Sequence, residues 1–219
     1  MPTVIVPVGF IMGPEFGPDG PRDREPRHYE IHFGADPQDL TETEFTVWAG
    51  AFVDPPRHAN LEVDRKSLEE HLRNDDGLVG PIADPAPLVS ALVERGLLVE
   101  FDPLEDPLQE LFSNLRLFPQ GQGLGSTPEE PNLYRIGFGN QPVAQVTSNV
   151  YQLWSYSLTF PALWDACVDM AEAANTDLQP GEQPIDVSAD ALAREVGAAI
   201  PLLVSAGAAF LDPLNYDLT

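Results

Sequence analysis

Few side chains in this sequence have the type and spacing that catalysis or metal binding requires. His28 and His32 fall on one face of a predicted strand, a spacing that could support a metal ion. A similar stretch further along the chain has Leu133 and Gly137 at the corresponding positions. We therefore interpret the two histidines as surface residues and predict no metal site.

The remaining candidates for catalysis are also isolated. Cys167 lies on the apolar side of a predicted helix with no histidine near it in the sequence, which favours a small buried hydrophobic residue over a nucleophile. The glycines Gly121, Gly123 and Gly125 lack the lysine of a phosphate-binding loop, so we interpret them as turn residues. Because no catalytic set emerges, we predict that the chain is not an enzyme and needs no cofactor.

Charge sets limits on the partners. The 219 residues include 35 acids and 11 bases, for a formal net charge of −24, and Lys66 is the only lysine. Affinity for DNA comes from several Lys or Arg contacts to phosphate, so we expect no direct binding of nucleic acid or anionic membranes, and we expect cationic partners instead. An alternative explanation is a proteome-wide bias toward acidic, lysine-poor proteins.

The hydrophobic pattern predicts a protein with a real core that does not cross a membrane. Hydrophobic residues make up 43% of the chain, yet no apolar run approaches the roughly 20 residues that span a bilayer. The apolar start, Val4 to Met12, is short, contains Pro7, and has no positive residue before it, so we predict no signal peptide. With a single cysteine, this indicates a cytoplasmic protein.

Self-similarity at a spacing of roughly 105 to 112 residues is the most informative feature of the sequence. A Pro-x-Gly-x-x-apolar-Gly pattern starts at Pro7 and again at Pro119. The pattern Tyr-x-Ile-x-Phe-Gly starts at Tyr29 and again at Tyr134, and its alternation predicts two strands that bury Tyr, Ile and Phe on one face. The sequence therefore indicates two copies of one unit.

Each strand is followed by signals for three helices. Thr41 and Glu44 form a capping box before Phe45, Trp48 and Phe52, and Thr147 precedes Tyr151, Trp154 and Leu158 at the same spacing. Second helices are predicted around 67–72 and 161–170, and third helices around 84–95 and from 188 onward, with a kink or break at Pro201. Both copies then run into an apolar strand that ends in Asp-Pro-Leu.

We therefore predict an α+β fold, an internal duplication of a winged-helix-like unit in which a short β-sheet precedes three helices. The first unit is assigned to residues 1–108 and the second to 113–219, joined by a loop-forming stretch, 102–113. The first copy carries an insertion rich in Pro, Gly and Arg at 13–27, and the second has a Gly-rich, flexible segment at 120–131.

The segment Leu40–Thr43 through Trp48, then Ser67–Leu68, then Leu88 to Gly96–Leu97–Leu98, resembles the peptide-chaperone family of pyrroloquinoline quinone biosynthesis. The second copy keeps Val146–Thr147 and Trp154 but ends in Ala206–Gly207–Ala208, so its resemblance is weaker. This resemblance implies a recognition element of ribosomally synthesised, modified peptide pathways, which binds a leader peptide as an added edge strand beside the third helix. In this chain, it implies contacts at Gln38, Asp39, Leu40, Leu88 and Leu92, and at Val143, Gln145, Val146, Leu192 and Val196.

Other functions stay open. A winged helix can also read DNA, but the predicted third helices offer few basic residues: Arg95 in one and Arg194, beside Glu195, in the other. We therefore hypothesise a non-enzymatic protein that binds a leader peptide or its modifying enzyme. The alternatives are an acidic regulator or nucleic-acid mimic that occupies a basic protein, and a structural subunit of a larger complex.

Overall fold

The computed structural model describes residues 3–17, 25–52, 64–74, 78–176 and 187–214, and these form a mixed α+β fold with small sheets. The first part of the chain contains the strands β1 (Val4–Pro7), β2 (Phe10–Glu15), β3 (His28–Phe33) and β4 (Asp36–Leu40), then the helices α1 (Glu42–Gly50), α2 (Arg65–Asn74) and α3 (Ala86–Glu94), and finally β5 (Leu98–Phe101).

The second part begins with a short helix, α4 (Leu108–Ser113). It continues with β6 (Leu115–Pro119), β7 (Gln122–Gly125), β8 (Leu133–Phe138) and β9 (Gln141–Thr147), then α5 (Ser148–Tyr156), a short 3-10 turn at Ser157–Thr159, α6 (Leu163–Thr176), α7 (Ala189–Ser205) and β10 (Ala209–Pro213). Apart from α4 and the 3-10 turn, the order of elements in the first part recurs in the second.

Each part contains one three-stranded antiparallel sheet and one two-stranded ribbon. The sheets have the orders β2-β3-β4 and β7-β8-β9, and the ribbons pair β1 with β5 and β6 with β10. The register of β2 shifts between Ile11 and Gly13, and that of β7 shifts between Gly123 and Gly125, so each first strand has one extra residue at the matching place.

Local signals in the sequence correctly locate α1 and β3. Tyr29 and Ile31 of β3 are buried, as the alternation predicted, and Thr41 and Glu44 form both bonds of the capping box. Trp48 is 1% exposed, and its indole N–H donates to the carbonyl of Val8, 3.0 Å away. Trp154 makes a similar bond of 2.7 Å to the carbonyl of Ala208, so the two tryptophans fasten α1 and α5 to residues that adjoin the ribbon strands β1 and β10.

The two parts share a core through β1, whose residues are buried on both faces. Ile5 packs with the first sheet and α1 to α3, whereas Val4, Val6 and Val8 join the cluster formed mainly by α4 to α7. Phe101, Leu108 and Phe112 belong to this second cluster as well. The strand is apolar on both sides because it lies between two layers, which explains its lack of alternation.

Several sequence expectations were wrong. The stretch 102–113, expected to be a loop, contains α4, and the segment 120–131, expected to be flexible, contains β7. A kink or break was expected at Pro201, but α7 continues through it without a break, and Ile200, Leu203 and Val204 around the proline are buried. Leu158 and Phe138 are about half exposed, because α5 ends at Tyr156 and because Phe138 lies in the last pair before a hairpin turn. In the insertion 13–27, residues 18–24 lie outside the described residues.

Candidate peptide-binding edges

The strand β4 forms an open edge of the first sheet, since among the described residues it pairs with β3 alone. It is joined to β3 by the two-residue turn Gly34–Ala35, so Phe33 and Asp36 form the closing pair of the hairpin. Residues of an antiparallel strand alternate between bonding their neighbour and pointing away from it. Gln38 and Leu40 thus bond β3, while the main-chain groups of Asp39 and the carbonyl of Pro37 face outward.

The side chains along this edge are acidic. Asp36 and Asp39 are exposed, and Glu30 of β3 lies directly opposite Asp39. His28 is a nearby basic residue, with its Nε2 atom 3.2 Å from Oδ1 of Asp39. The edge of β4 therefore offers main-chain hydrogen-bonding groups in a negative setting.

The matching edge, β9, is uncharged and less regular. Its register with β8 shifts at Val143, so Pro142 and a bulge occupy the first half of the strand, and the regular pairs run from Ala144 to Thr147. By the same alternation, Gln145 faces outward, at the position that corresponds to Asp39. Its side chain donates to Glu130 across 2.7 Å. A proline and a bulge both discourage strand addition, so β9 is the better protected edge.

The predicted contact residues divide into two groups. Leu40, Leu92, Val146, Leu192 and Val196 are all 5% exposed or less, and their side chains fill the core. Gln38, Leu88 and Val143 are half-buried, and Asp39 and Gln145 are exposed. Only the second group has side-chain surface that a partner could contact in this conformation.

The strand and third helix come together more closely in the second part than in the first. Glu195 of α7 accepts hydrogen bonds from Thr147 and from Asn149, at 2.5 and 2.9 Å, and these bonds tie the end of β9 to the helix. In the first part, α3 packs against α1, α2 and β5, and Arg95 near its end bonds Glu44 of α1 at 2.8 Å. A cavity of about 310 Å³ beside Leu192 is lined also by Asn149, Gln152 and Met170.

The sequence analysis missed the other edge of the first sheet, β2. Ile11 and Met12 of β2, and Phe16 just after it, are between 45% and 59% exposed, and among the described residues β2 pairs only with β3. The sequence carries a signal for it, because the apolar run at 10–12 is interrupted by Gly13 and Pro14 where a core strand would continue.

The cysteine considered as a nucleophile is buried, and the two histidines considered as metal ligands lie far from each other. Cys167 is buried, as predicted, and burial raises its pKa to about 12, so the thiol stays protonated at neutral pH. His28 and His32 are four residues apart on β3, a distance of roughly 13 Å along a strand, so one ion cannot bind both.

Comparisons with known proteins supply no relative. No protein-family model, curated protein sequence or solved structure matches this chain. Among the described residues, no helix has the length and apolar character needed to cross a membrane.

Proposed function

We propose that this chain is a non-enzymatic binding protein that takes up a basic, extended segment of a partner as a fourth strand beside β4. The observation that carries the proposal is the outward-facing main chain at Asp39, whose acidic side chain lies beside that of Glu30 on the outer face of the sheet. An edge strand supplies hydrogen bonds to any extended chain, so its side chains must supply the selectivity. Lysine or arginine side chains of the added strand would lie beside these carboxylates.

We also propose that the two parts are copies of one winged-helix-like unit. The matching sheet orders, the bulges before Gly13 and Gly125, and the indole bonds of Trp48 and Trp154 support a common origin. Divergence between copies would explain why one edge is acidic and open while the other has a bulge and a strand–helix tie through Glu195.

The partner we favour is a precursor peptide of a modified-peptide pathway. The edge strand leads directly into the first helix of the unit, the position at which the resemblance implies leader binding, and Leu88 leaves half-buried apolar surface on α3. The main-chain edge is short, so side-chain contacts would contribute much of the affinity.

The proposal can be tested with two octapeptides, one alternating Val and Lys and the other alternating Val and Glu. Calorimetry on the full chain at low salt should detect the Val-Lys peptide and not the Val-Glu peptide, and binding should weaken as salt rises. Asp39→Pro removes the outward N–H and the carboxylate without touching a bond to β3. It should weaken binding about 10-fold or more, and by more than Asp39→Asn does, since a main-chain hydrogen bond is worth up to about 1.5 kcal/mol.

Two matched variants separate the causes. Asp39→Asn keeps the N–H and removes only the charge, so we expect a smaller loss, up to about 5-fold, that disappears at high salt. Gln145→Pro makes the same main-chain change on β9 and should leave binding unchanged. Equal effects of Asp39→Pro and Gln145→Pro would contradict the choice of β4, and equal binding of both peptides would contradict a basic partner.

A further inference from the structure

Three side chains with metal-binding atoms converge on the outer face of the first sheet. His28 and Glu30 are two residues apart in β3 and share a face, and Asp39 lies opposite Glu30 on β4. One ligand atom from each lies within 4.8 Å of the other two, and His28 Nε2 is 3.2 Å from Asp39 Oδ1. Ligands bound at about 2.0–2.2 Å to one ion are at most about 4.4 Å apart, so small side-chain adjustments suffice.

The donor set selects among cations. Calcium and magnesium prefer shells made only of oxygen, whereas an imidazole nitrogen favours zinc and the later first-row metals. One histidine with two carboxylates is a nitrogen and oxygen set of this second kind. Three protein ligands also leave a coordination position open, which suits an exposed zinc site.

The surroundings favour a cation as well. Glu15 pairs with His28 across β2 and β3, so a further carboxylate side chain lies on the neighbouring strand. The side chains of His28 and Asp39 are 31% and 64% exposed, which leaves the site reachable from solvent. The chain as a whole has a formal charge of −24, a field that raises the local concentration of cations.

The second sheet has the same framework without these ligands. Arg135 pairs with Gln145 where Glu30 pairs with Asp39, and Leu133 holds the first position of β8 as His28 does in β3. The fold therefore does not require the His28, Glu30 and Asp39 set, and the second part of the molecule provides an internal comparison.

We infer that His28, Glu30 and Asp39 bind one divalent ion of the zinc class on the outer face of the first sheet. The inference goes beyond peptide binding and does not rest on it, because the ligands are held by β3 and β4 alone; since both proposals use Glu30 and Asp39, zinc and a basic peptide would compete for these carboxylates. The sequence pattern had paired His28 with His32; the structure brings it to two carboxylates instead.

The test is a calorimetric titration of zinc sulfate into the full chain without peptide, in a buffer that does not chelate. We expect one equivalent to bind tightly. His28→Ala and the isosteric Glu30→Gln should each weaken that equivalent by about 10- to 100-fold or more, because loss even of a ligand's supporting partner costs this much. The thermal midpoint should rise with zinc in the unmodified chain and rise far less in the variants.

Matched controls make the result decisive. His32→Ala removes an exposed histidine of the same strand and should leave zinc affinity unchanged, and an excess of magnesium should not displace zinc. Glu30→Gln keeps the side-chain shape, so it provides an answer even where His28→Ala affects folding. Zinc that binds Glu30→Gln and His28→Ala as tightly as it binds the unmodified chain, or no stoichiometric binding at all, would overturn the inference.

Discussion

The backbone N–H of Gly34, in the turn between β3 and β4, donates a hydrogen bond of 2.7 Å to Oδ1 of Asp212 in β10. Nearby, the N–H of Gly9 donates to the carbonyl of Leu211 at 2.7 Å, and the rings of Phe10 and Phe210 lie 5.2 Å apart. The turns of the first sheet are thus fixed to the last strand of the second part. The contact between the two parts uses main-chain hydrogen bonds and the buried carboxylate of Asp212.

Asp212 should make stability depend on pH. Burial raises its pKa above the ordinary value of 3.8, with an opposing contribution from the Gly34 hydrogen bond and the nearby charges of His32 and Arg116. A raised pKa means that the folded state holds the proton more tightly. The stability that the Asp212 carboxyl contributes is therefore fully present below about pH 3.8, and it is lost as the pH rises through the pKa of the folded state.

Asp212→Asn keeps an acceptor for Gly34 and removes the buried charge. We expect it to be as stable as the parent, or more so, at pH 7, and to lose less stability than the parent between pH 4 and 7 in urea unfolding. Asp212→Ala, the control, leaves the Gly34 N–H unpaired and should cost about 1–3 kcal/mol. A larger pH dependence in Asp212→Asn than in the parent would contradict this account.

Two pairs of glycines offer a matched test of the repeated sheet geometry. Gly9 has φ of +98° and Gly121 has φ of +80°, and a Cβ on either would lie 2.7 Å or less from a carbonyl oxygen of the neighbouring strand. Gly9→Ala and Gly121→Ala should therefore destabilise the protein by more than the roughly 1–3 kcal/mol of backbone strain.

The controls are Gly13→Ala and Gly125→Ala, which also have positive φ but have open space around a Cβ. They should cost only the strain. Urea unfolding measures the free energy of unfolding of the four variants. Equal losses for Gly9→Ala and Gly13→Ala, and for Gly121→Ala and Gly125→Ala, would show that the close approach at Gly9 and Gly121 does not matter.

Trp48 and Trp154 should be comparable anchors. Each is 5% exposed or less and bonds a carbonyl adjoining the ribbon through its indole. Trp48→Ala and Trp154→Ala should each cost about 3–5 kcal/mol of unfolding free energy, and Leu158→Ala, at a half-exposed site, should stay within about 0.5 kcal/mol. Thermal and urea unfolding measure the stability of all three variants. A tryptophan variant that melts at the same temperature as the parent would contradict the role assigned to that residue.

The second predicted unit should not fold well by itself. A fragment of residues 113–219 lacks Val4, Val6, Val8 and Phe101, which join its core, and lacks Leu108 and Phe112 of α4. We expect this fragment to show poor chemical-shift dispersion and no cooperative melting. A fragment that melts cooperatively near the temperature of the full chain would support two independent units.

The sequence predicted best those features that depend on neighbouring residues. The Thr41 and Glu44 capping box, the alternation in β3 and the helical spacing of Trp48 and Trp154 act within one element, so they can be read locally. The continuous apolar run of β1 is typical of burial on two faces, but that burial was not predicted from it.

Features that depend on distant contacts could not be predicted. The helix α7 passes through Pro201 because packing in the core holds it there, with Ile200, Leu203 and Val204 buried around the proline. The bonds from Gly9 to Leu211 and from Gly34 to Asp212 join residues nearly a chain length apart. The acidic cluster at the candidate site forms only when β4 pairs with β3, so the sequence pointed to Asp39 without its neighbours.

The most direct test of strand addition is amide hydrogen exchange, followed by NMR, on the full chain with and without the Val-Lys octapeptide. The amide of Gln38 already bonds β3, so its exchange should change little, whereas the outward amide of Asp39 should become protected by about 10-fold or more at saturation. Protection of Asp39 with little change at Gln145 is the result that the account predicts. Binding of the peptide with no added protection at Asp39 would contradict it.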